Sequence, residues 1–231
     1  MDASAPPPRR TIWTRSGPLT STLPPEQVER LSWRTQVTFG DSATLGLWVF
    51  GTGAWLTGLV EAHVFPPAAF TALVPVLLVN SGLAQFTSGI MTFRRANTVI
   101  GGLLCSFGSL NATRGTLLLF EAVGLLHGGS YVDQIQGCLA EAYAWFALSL
   151  TLAALRMNAV MFGLSACTFI GFALSGIPYL LLSHGTTGPG IVGQIGGWFL
   201  VATAVFAYYG GMAMTVNTAW RRTVLPVGGA P

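Results

Sequence analysis

Apolar residues run along this chain in long blocks, not in the short alternations of a soluble fold, and each block ends at a charge or at a Gly/Pro turn. A helix that crosses a bilayer needs about 20 mostly apolar residues. Six blocks approach that length, near Thr44–Val60, Ala68–Met91, Thr98–Leu125, Cys138–Leu155, Ala159–Leu182 and Ile191–Val216. The pattern predicts an all-α membrane protein whose protomer is a channel-like bundle of six transmembrane helices. Pro66-Pro67, Gly128-Gly129 and Gly188-Pro189-Gly190 separate blocks as turns. Pro75 and Pro178 lie inside blocks and predict kinks. Residues 1–40 hold no apolar block. Their run Ala5-Pro6-Pro7-Pro8-Arg9-Arg10 reads as a disordered cytoplasmic tail, with a short interfacial helix expected over 24–34. The expected division is a mostly disordered tail over 1–40, a six-helix transmembrane domain over 41–220 and a short cytoplasmic tail over 221–231.

Composition sharpens this reading. Of 231 residues, 52% are hydrophobic and only 8% charged, against about 25% charged in an ordinary soluble domain. Mean hydropathy is +0.60. The 11 basic residues are all Arg. They gather at Arg9, Arg10, Arg15, Arg30 and Arg34, at Arg94-Arg95, at Arg156 and at Arg221-Arg222, with Arg114 alone inside a block. Arg-rich short loops stay on the cytoplasmic side. Both termini are therefore expected in the cytoplasm of a cell (inner) membrane, and the Arg-free stretches Glu61–Pro67, Leu126–Gly137 and Ser183–Pro189 face outward. The net charge of +3 suits contact with anionic lipid headgroups. No basic patch interleaves with aromatics, so nucleic acid is not an expected partner. Cys105, Cys138 and Cys167 lack metal or redox spacing and read as small buried apolar residues.

Polar groups inside the blocks carry the candidate chemistry, because each is costly in lipid unless paired or wet. The second block holds Asn80, Ser81 and Gln85; the third holds Ser106, Ser109, Asn111, Thr113 and Arg114; the sixth holds Gln194. Spacings of three and four put the third-block set near one helix face. Arg114 has three readings: an ion pair with Glu141 or Glu121, an electrostatic lure for an anion, or a side chain snorkelling to an interface. His63, His127 and His184 fall at outer helix ends, either as sensors of external acidity or as ordinary interfacial residues. Small residues at four-residue spacing, such as Gly171 with Ser175 and Gly193 with Gly197, predict close helix packing. No phosphate-binding loop, hydrolytic triad or metal motif is present. No enzyme activity, catalytic residue, metal or cofactor is expected, and a passive or ion-coupled solute pathway remains.

Several motifs then form an ordered set: Leu45-Gly46-Leu47 with Phe50, Gly82-Leu83-Ala84-Gln85-Phe86 with Gly89, Asn97-Thr98, Ser106-Phe107-Gly108-Ser109, Ala207-Tyr208-Tyr209, and Arg222-Thr223-Val224-Leu225-Pro226-Val227-Gly228. Together they resemble the acetate/succinate transporter family over roughly residues 40–228. The resemblance implies a six-helix protomer in a homo-oligomer, a ring of six. It also implies passage of small mono- or dicarboxylates, linked to protons. It assigns Phe50 and Phe107 to an apolar pore constriction whose fifth-helix member falls near Cys167 or Thr168. Leu45, Gly46, Gln85, Ser106, Asn111 and Arg114 complete the expected substrate pathway. The chain departs from the family pattern at several places. The two Pro of the first-helix signature are replaced within Asp41-Ser42-Ala43-Thr44, and the family's Gly before Asn-Thr is Ala96. The family's acidic residue before that Gly is Thr92, its third-helix Tyr is Phe107, and Arg114 replaces an apolar residue. The leading expectation is a carboxylate channel or carrier. Its rivals are a channel for small neutral solutes or ammonia on the same scaffold, and a membrane sensor without transport.

Overall fold

The computed structural model describes residues 13–14, 17–18, 41–126, 130–181 and 190–229. The chain divides into two compact units, residues 1–40 and 41–231. In the first, β1 (Trp13–Thr14) pairs antiparallel with β2 (Gly17–Pro18). The interfacial helix expected over 24–34 lies outside the described residues.

The second unit is helical. Helix α1 (Ser42–Glu61) starts where the Asp41 carboxylate accepts from the Ala43 amide, a standard N-cap. A 3₁₀ stretch (Pro67–Leu73), a π-helical stretch (Val76–Ala84) and helix α2 (Gln85–Arg94) follow end to end. Helix α3 (Thr98–Ala122) is N-capped by Asn97, whose Oδ1 accepts from the Ile100 amide. Helices α4 (Ser130–Ala154), α5 (Ala159–Leu181) and α6 (Gly190–Trp220) complete the unit. By length and composition, five stretches among the described residues suffice to cross a membrane: Ser42–Glu61, Val76–Arg94, Tyr131–Ala154, Ala159–Leu180 and Gly190–Trp220. Helix α3 is longer than most of them, but Asn111, Arg114 and its hydroxyl residues dilute its apolarity. Trp48, Leu83, Trp145, Leu152, Trp198 and Val205 stand exposed along the helices. A water-facing surface this apolar would be unusual, and lipid is the solvent that suits it.

Four sequence expectations need adjustment. The second block is three conformations in series, because Pro75 has no amide to donate and the helix changes its hydrogen-bond period on either side of it. Pro178, by contrast, lies inside one uninterrupted helix near its end. Helix α4 begins at Ser130, well before the expected Cys138, so most of the expected outer loop is about two helical turns containing Asp133 and Gln136. Cys138 is exposed, unlike the buried residue expected, while Cys105 and Cys167 are half-buried and all three thiols are free.

Two features set the bundle's rigidity. Helices α1 and α6 meet at glycines: a Cβ on Gly58 would lie 2.7 Å from the Gly197 carbonyl oxygen, a distance only bare backbone permits. Residues after α6 fold back as a strap. The Asn217 side chain accepts from the amides of Val224 (2.7 Å) and Leu225 (2.9 Å) and donates to the Leu225 carbonyl (2.9 Å). Tyr209 donates to the Pro226 carbonyl at 2.6 Å, and the Val160 amide reaches the Val227 carbonyl at 3.3 Å. An amide in the first turn of α5, without a partner in its own helix, is thereby satisfied.

Candidate functional site

A cavity sits between α1, α3, α5 and α6, with about 320 Å³ of empty space including its open mouth. Its wall is formed by Phe50, Gly53, Ala54 and Thr57 of α1, Phe107, Asn111 and Arg114 of α3, Thr168 and Phe172 of α5, and Leu200 and Thr203 of α6. Spacings of three, four and seven put each set on one helix face. The three helices α1, α3 and α5 run parallel here. Phe50, Phe107 and Phe172 meet at one level, while Glu61, Arg114 and Ser175 meet 11, seven and three residues further on.

The first level is aromatic. Phe107 is 1% exposed and packs against four rings: Phe50 (centroids 5.3 Å apart), Phe172 (5.6 Å), Tyr143 (5.6 Å) and Phe146 (5.7 Å). Tilted and offset ring pairs of this kind contribute about 0.5–1.5 kcal/mol each beyond area burial. Phe107 is therefore a hub, and it lines the cavity. Beside this level Thr168 and Thr203 lie 3.4 Å apart, oxygen to oxygen. Each hydroxyl also bonds back to a carbonyl of its own helix, Thr168 to Leu164 and Thr203 to Phe199. With their protons so engaged, they present chiefly oxygen lone pairs.

The second level is ionic. Arg114 Nη2 donates to Glu61 Oε1 at 3.1 Å, with the two side chains only 9% and 3% exposed. Ser175 Oγ holds the other carboxylate oxygen at 2.5 Å. A buried pair repays its desolvation only when its geometry and further hydrogen bonds are good. Ser175 supplies one of those bonds. The partner of Arg114 is thus Glu61, neither Glu121 nor Glu141.

Between the levels, Asn111 is committed. Its Nδ2 donates to the Ser81 carbonyl and to Gln85 Oε1, both at 3.3 Å. Ser81 in turn donates to the Val49 carbonyl at 2.9 Å. Asn111 thereby fastens α3 to the π-helical stretch. Asn80 Oδ1, Gln85 Nε2 and Glu141 Oε1 are buried without a partner among the described residues.

The residues singled out from sequence fall in different places. Phe50, Phe107, Asn111 and Arg114 share the cavity wall. Gln85 is fully buried behind Asn111. Leu45 is 53% exposed on the outer surface, and Gly46 packs against Leu104 and Ser88. Ser106 is half-buried, whereas Ser109 and Thr113 are exposed and bonded to each other backbone-to-hydroxyl at 2.9 Å. The polar stripe of α3 is thus split between cavity and outer surface. His63 is exposed and its Nδ1 meets Gln194 Nε2 at 3.1 Å. His127 and His184 lie outside the described residues. Of the fifth-helix pair, Thr168 is on the wall, with Phe172 one turn on.

Sequence reasoning missed Glu61, Ser175, Phe172 and Thr203. Glu61 was assigned to an outer loop because hydropathy drops there. Its register with Phe50 and Thr57, at seven and 11 residues from Phe50, was the available signal. Among the described residues no cluster of His, Cys, Asp or Glu is arranged to hold a metal.

Comparison with known proteins places this architecture. Residues 22–228 match the family described as the GPR1/FUN34/yaaH family. The glyoxylate pathway regulator of Yarrowia lipolytica is 27% identical over 184 residues, 78% of this chain and 65% of that protein, so the match spans just under two thirds of that relative. The succinate-acetate/proton symporter SatP of Escherichia coli K12 is 26% identical over 186 residues, 80% of this chain and 94% of that protein. The ammonia transport outward protein 2 of Saccharomyces cerevisiae is 29% identical over 183 residues, 76% of this chain and 61% of that protein. The solved structure of the bacterial acetate channel SatP superposes with a TM-score of 0.72 at 24% identity, covering 83% of this chain and all of that one. That likeness concerns the fold.

Proposed function

The chain belongs to the GPR1/FUN34/yaaH family, and from that premise we propose that it carries small carboxylates of the acetate/succinate class across a membrane, linked to protons. It is an integral membrane protein related to a transporter and folded as an acetate channel is. The carrying observation is the cavity itself: a ring of Phe50, Phe107 and Phe172 at one level and a buried guanidinium at the next. The rings strip water from anything that passes, which disfavours hydrated inorganic ions. Arg114 supplies positive charge where a carboxylate has lost its hydration. A protonated acid crosses the rings more easily than its anion, which ties passage to acidity.

In this reading the unit crosses the membrane six times with both termini in the cytoplasm, and protomers assemble in a ring of six. No catalytic chemistry is assigned to it. Uptake of labelled acetate and succinate into proteoliposomes, with Phe50→Ala alongside, tests the proposal. Uptake above empty liposomes is expected, with altered selectivity in the variant. No uptake of either solute above that baseline overturns it.

One observation favours a second reading, a channel for ammonia. Thr168 and Thr203 offer acceptors to a solute that brings its own N–H donors, and one relative is named for ammonia transport. Swelling of proteoliposomes in ammonium and urea, without carboxylate uptake, would select it.

A further inference from the structure

Arg114 meets Glu61 through one nitrogen and one oxygen, not through the two-pronged contact that these groups frequently make. Arg114 also lines the cavity. Glu61 closes α1 at the C-terminal end, where the helix gathers partial negative charge, so its carboxylate relies on Arg114 for balance. We infer that Glu61 is an exchange partner: it takes the proton when Arg114 takes the carboxylate of the solute. This rests on the carboxylate reading above and names its coupling element.

The exchange balances. An arriving acid, R–COOH, gives its proton to Glu61. Its anion, R–COO⁻, then occupies the guanidinium that Glu61 released. One proton and one anion enter the site together, and net charge is unchanged. Ser175 makes the step feasible. As a donor it holds the ionised Glu61 at 2.5 Å, and the same hydroxyl accepts from Glu61 once that carboxyl is protonated. The neutral acid therefore keeps a partner. Arg114 does not: a buried cation left alone is strongly unfavourable. Protonation without anion binding is thus disfavoured, and so is anion binding without protonation, because two carboxylates would crowd one guanidinium. That mutual exclusion is what coupling requires.

The surroundings supply no competing cation among the described residues. Tyr179 on α5 feels both members of the pair, together with Asp133 on α4 and Glu121 on α3. Those two carboxylates add negative potential, which discourages a second free anion. His63, just beyond α1, is exposed and engaged with Gln194 of α6. The stretch of α6 nearest Glu61 is glycine, with Gly197 against its backbone.

The test uses whichever of acetate and succinate the native chain carries above empty liposomes. With Glu61→Gln, uptake is expected to persist but lose its acceleration by an inward-directed acid gradient. With Arg114→Gln, uptake is expected to be lost with and without the gradient. Native acceleration retained in Glu61→Gln overturns the exchange while leaving carboxylate passage standing; failure of the native chain to carry either solute overturns the passage reading instead. An infrared difference spectrum on the native protein gives an independent readout: adding acetate should produce a protonated-carboxyl band that shifts in Glu61→Asp. No such band, or one unmoved by that substitution, overturns the exchange whether or not Glu61→Gln folds.

Discussion

At the Phe107 end of the cavity four rings surround a fifth, with no charge in reach; at the Arg114 end, three helix turns away or less, a guanidinium, a carboxylate and a hydroxyl form a closed chain. Helix α4 adds Tyr143 and Phe146 to the rings, and helices α1, α3 and α5 contribute to both ends. Their parallel course lets one register set both levels, so a rotation of any one helix disturbs rings and ion pair together. The contrast teaches a division of labour. The rings hold by contact area and tolerate substitution gradually; the ion pair holds by exact partnership and fails abruptly when one member goes.

Breaking the ionic end should have the largest effect. Arg114→Gln strands Glu61 in a buried site and is expected to destabilise the fold by about 3–5 kcal/mol. Thermal unfolding in detergent reads that cost. The double variant with Glu61→Gln should recover most of the stability and none of the carboxylate uptake. A single variant as stable as the native chain would show that water enters this level freely.

Next comes the ring level. Phe107→Ala removes the hub and leaves a cavity, for an expected cost of about 3 kcal/mol. The same variant should leak small hydrated ions, seen as loss of a potassium diffusion potential in proteoliposomes. Tight vesicles would mean that Phe50 and Phe172 close the neck by themselves. Ser175→Ala sharpens the comparison at smaller scale. It removes one charge-assisted hydrogen bond, worth about 1.5–3 kcal/mol, and leaves the rings intact. Uptake should retain its selectivity against inorganic ions while its proton dependence weakens.

The smallest expected effect lies outside both levels. Ala96 has φ 59°, a left-handed conformation that L side chains adopt at a cost of about 1–2 kcal/mol. Ala96→Gly is expected to raise stability by about 1 kcal/mol with transport unchanged. It serves as the control that separates a stability change from a pathway change.

Much of this was legible in the sequence, for physical reasons that also explain the gaps. Apolar blocks between Arg clusters locate the helices because charge marks where lipid ends. Asn111 and Arg114 stand out by type and spacing as polar groups in an apolar block, Phe50 and Phe107 through the family resemblance, and the structure gathers those four around one cavity. Glu61 escaped because a hydropathy reading ends a span at the first carboxylate, although pairing with Arg114 keeps this one buried. The start of α4 escaped for the same reason: its first turns carry Asp133 and Gln136, yet they are helical. Phe172 was missed by one turn, since no charged residue on α5 pins its register. The different fates of Pro75 and Pro178 depend on where each sits within its helix and on what neighbouring groups do with freed carbonyls, which one chain read alone does not disclose.

The order of the two levels has a directional consequence. A solute arriving from one face meets positive charge before it meets the hydrophobic ring; from the other face it meets the ring first. If the proposed passage runs through both levels, it should rectify. At equal driving force, half-saturation should occur at a lower concentration from the Arg114 face, so inward and outward fluxes of one carboxylate should differ even though the route is shared.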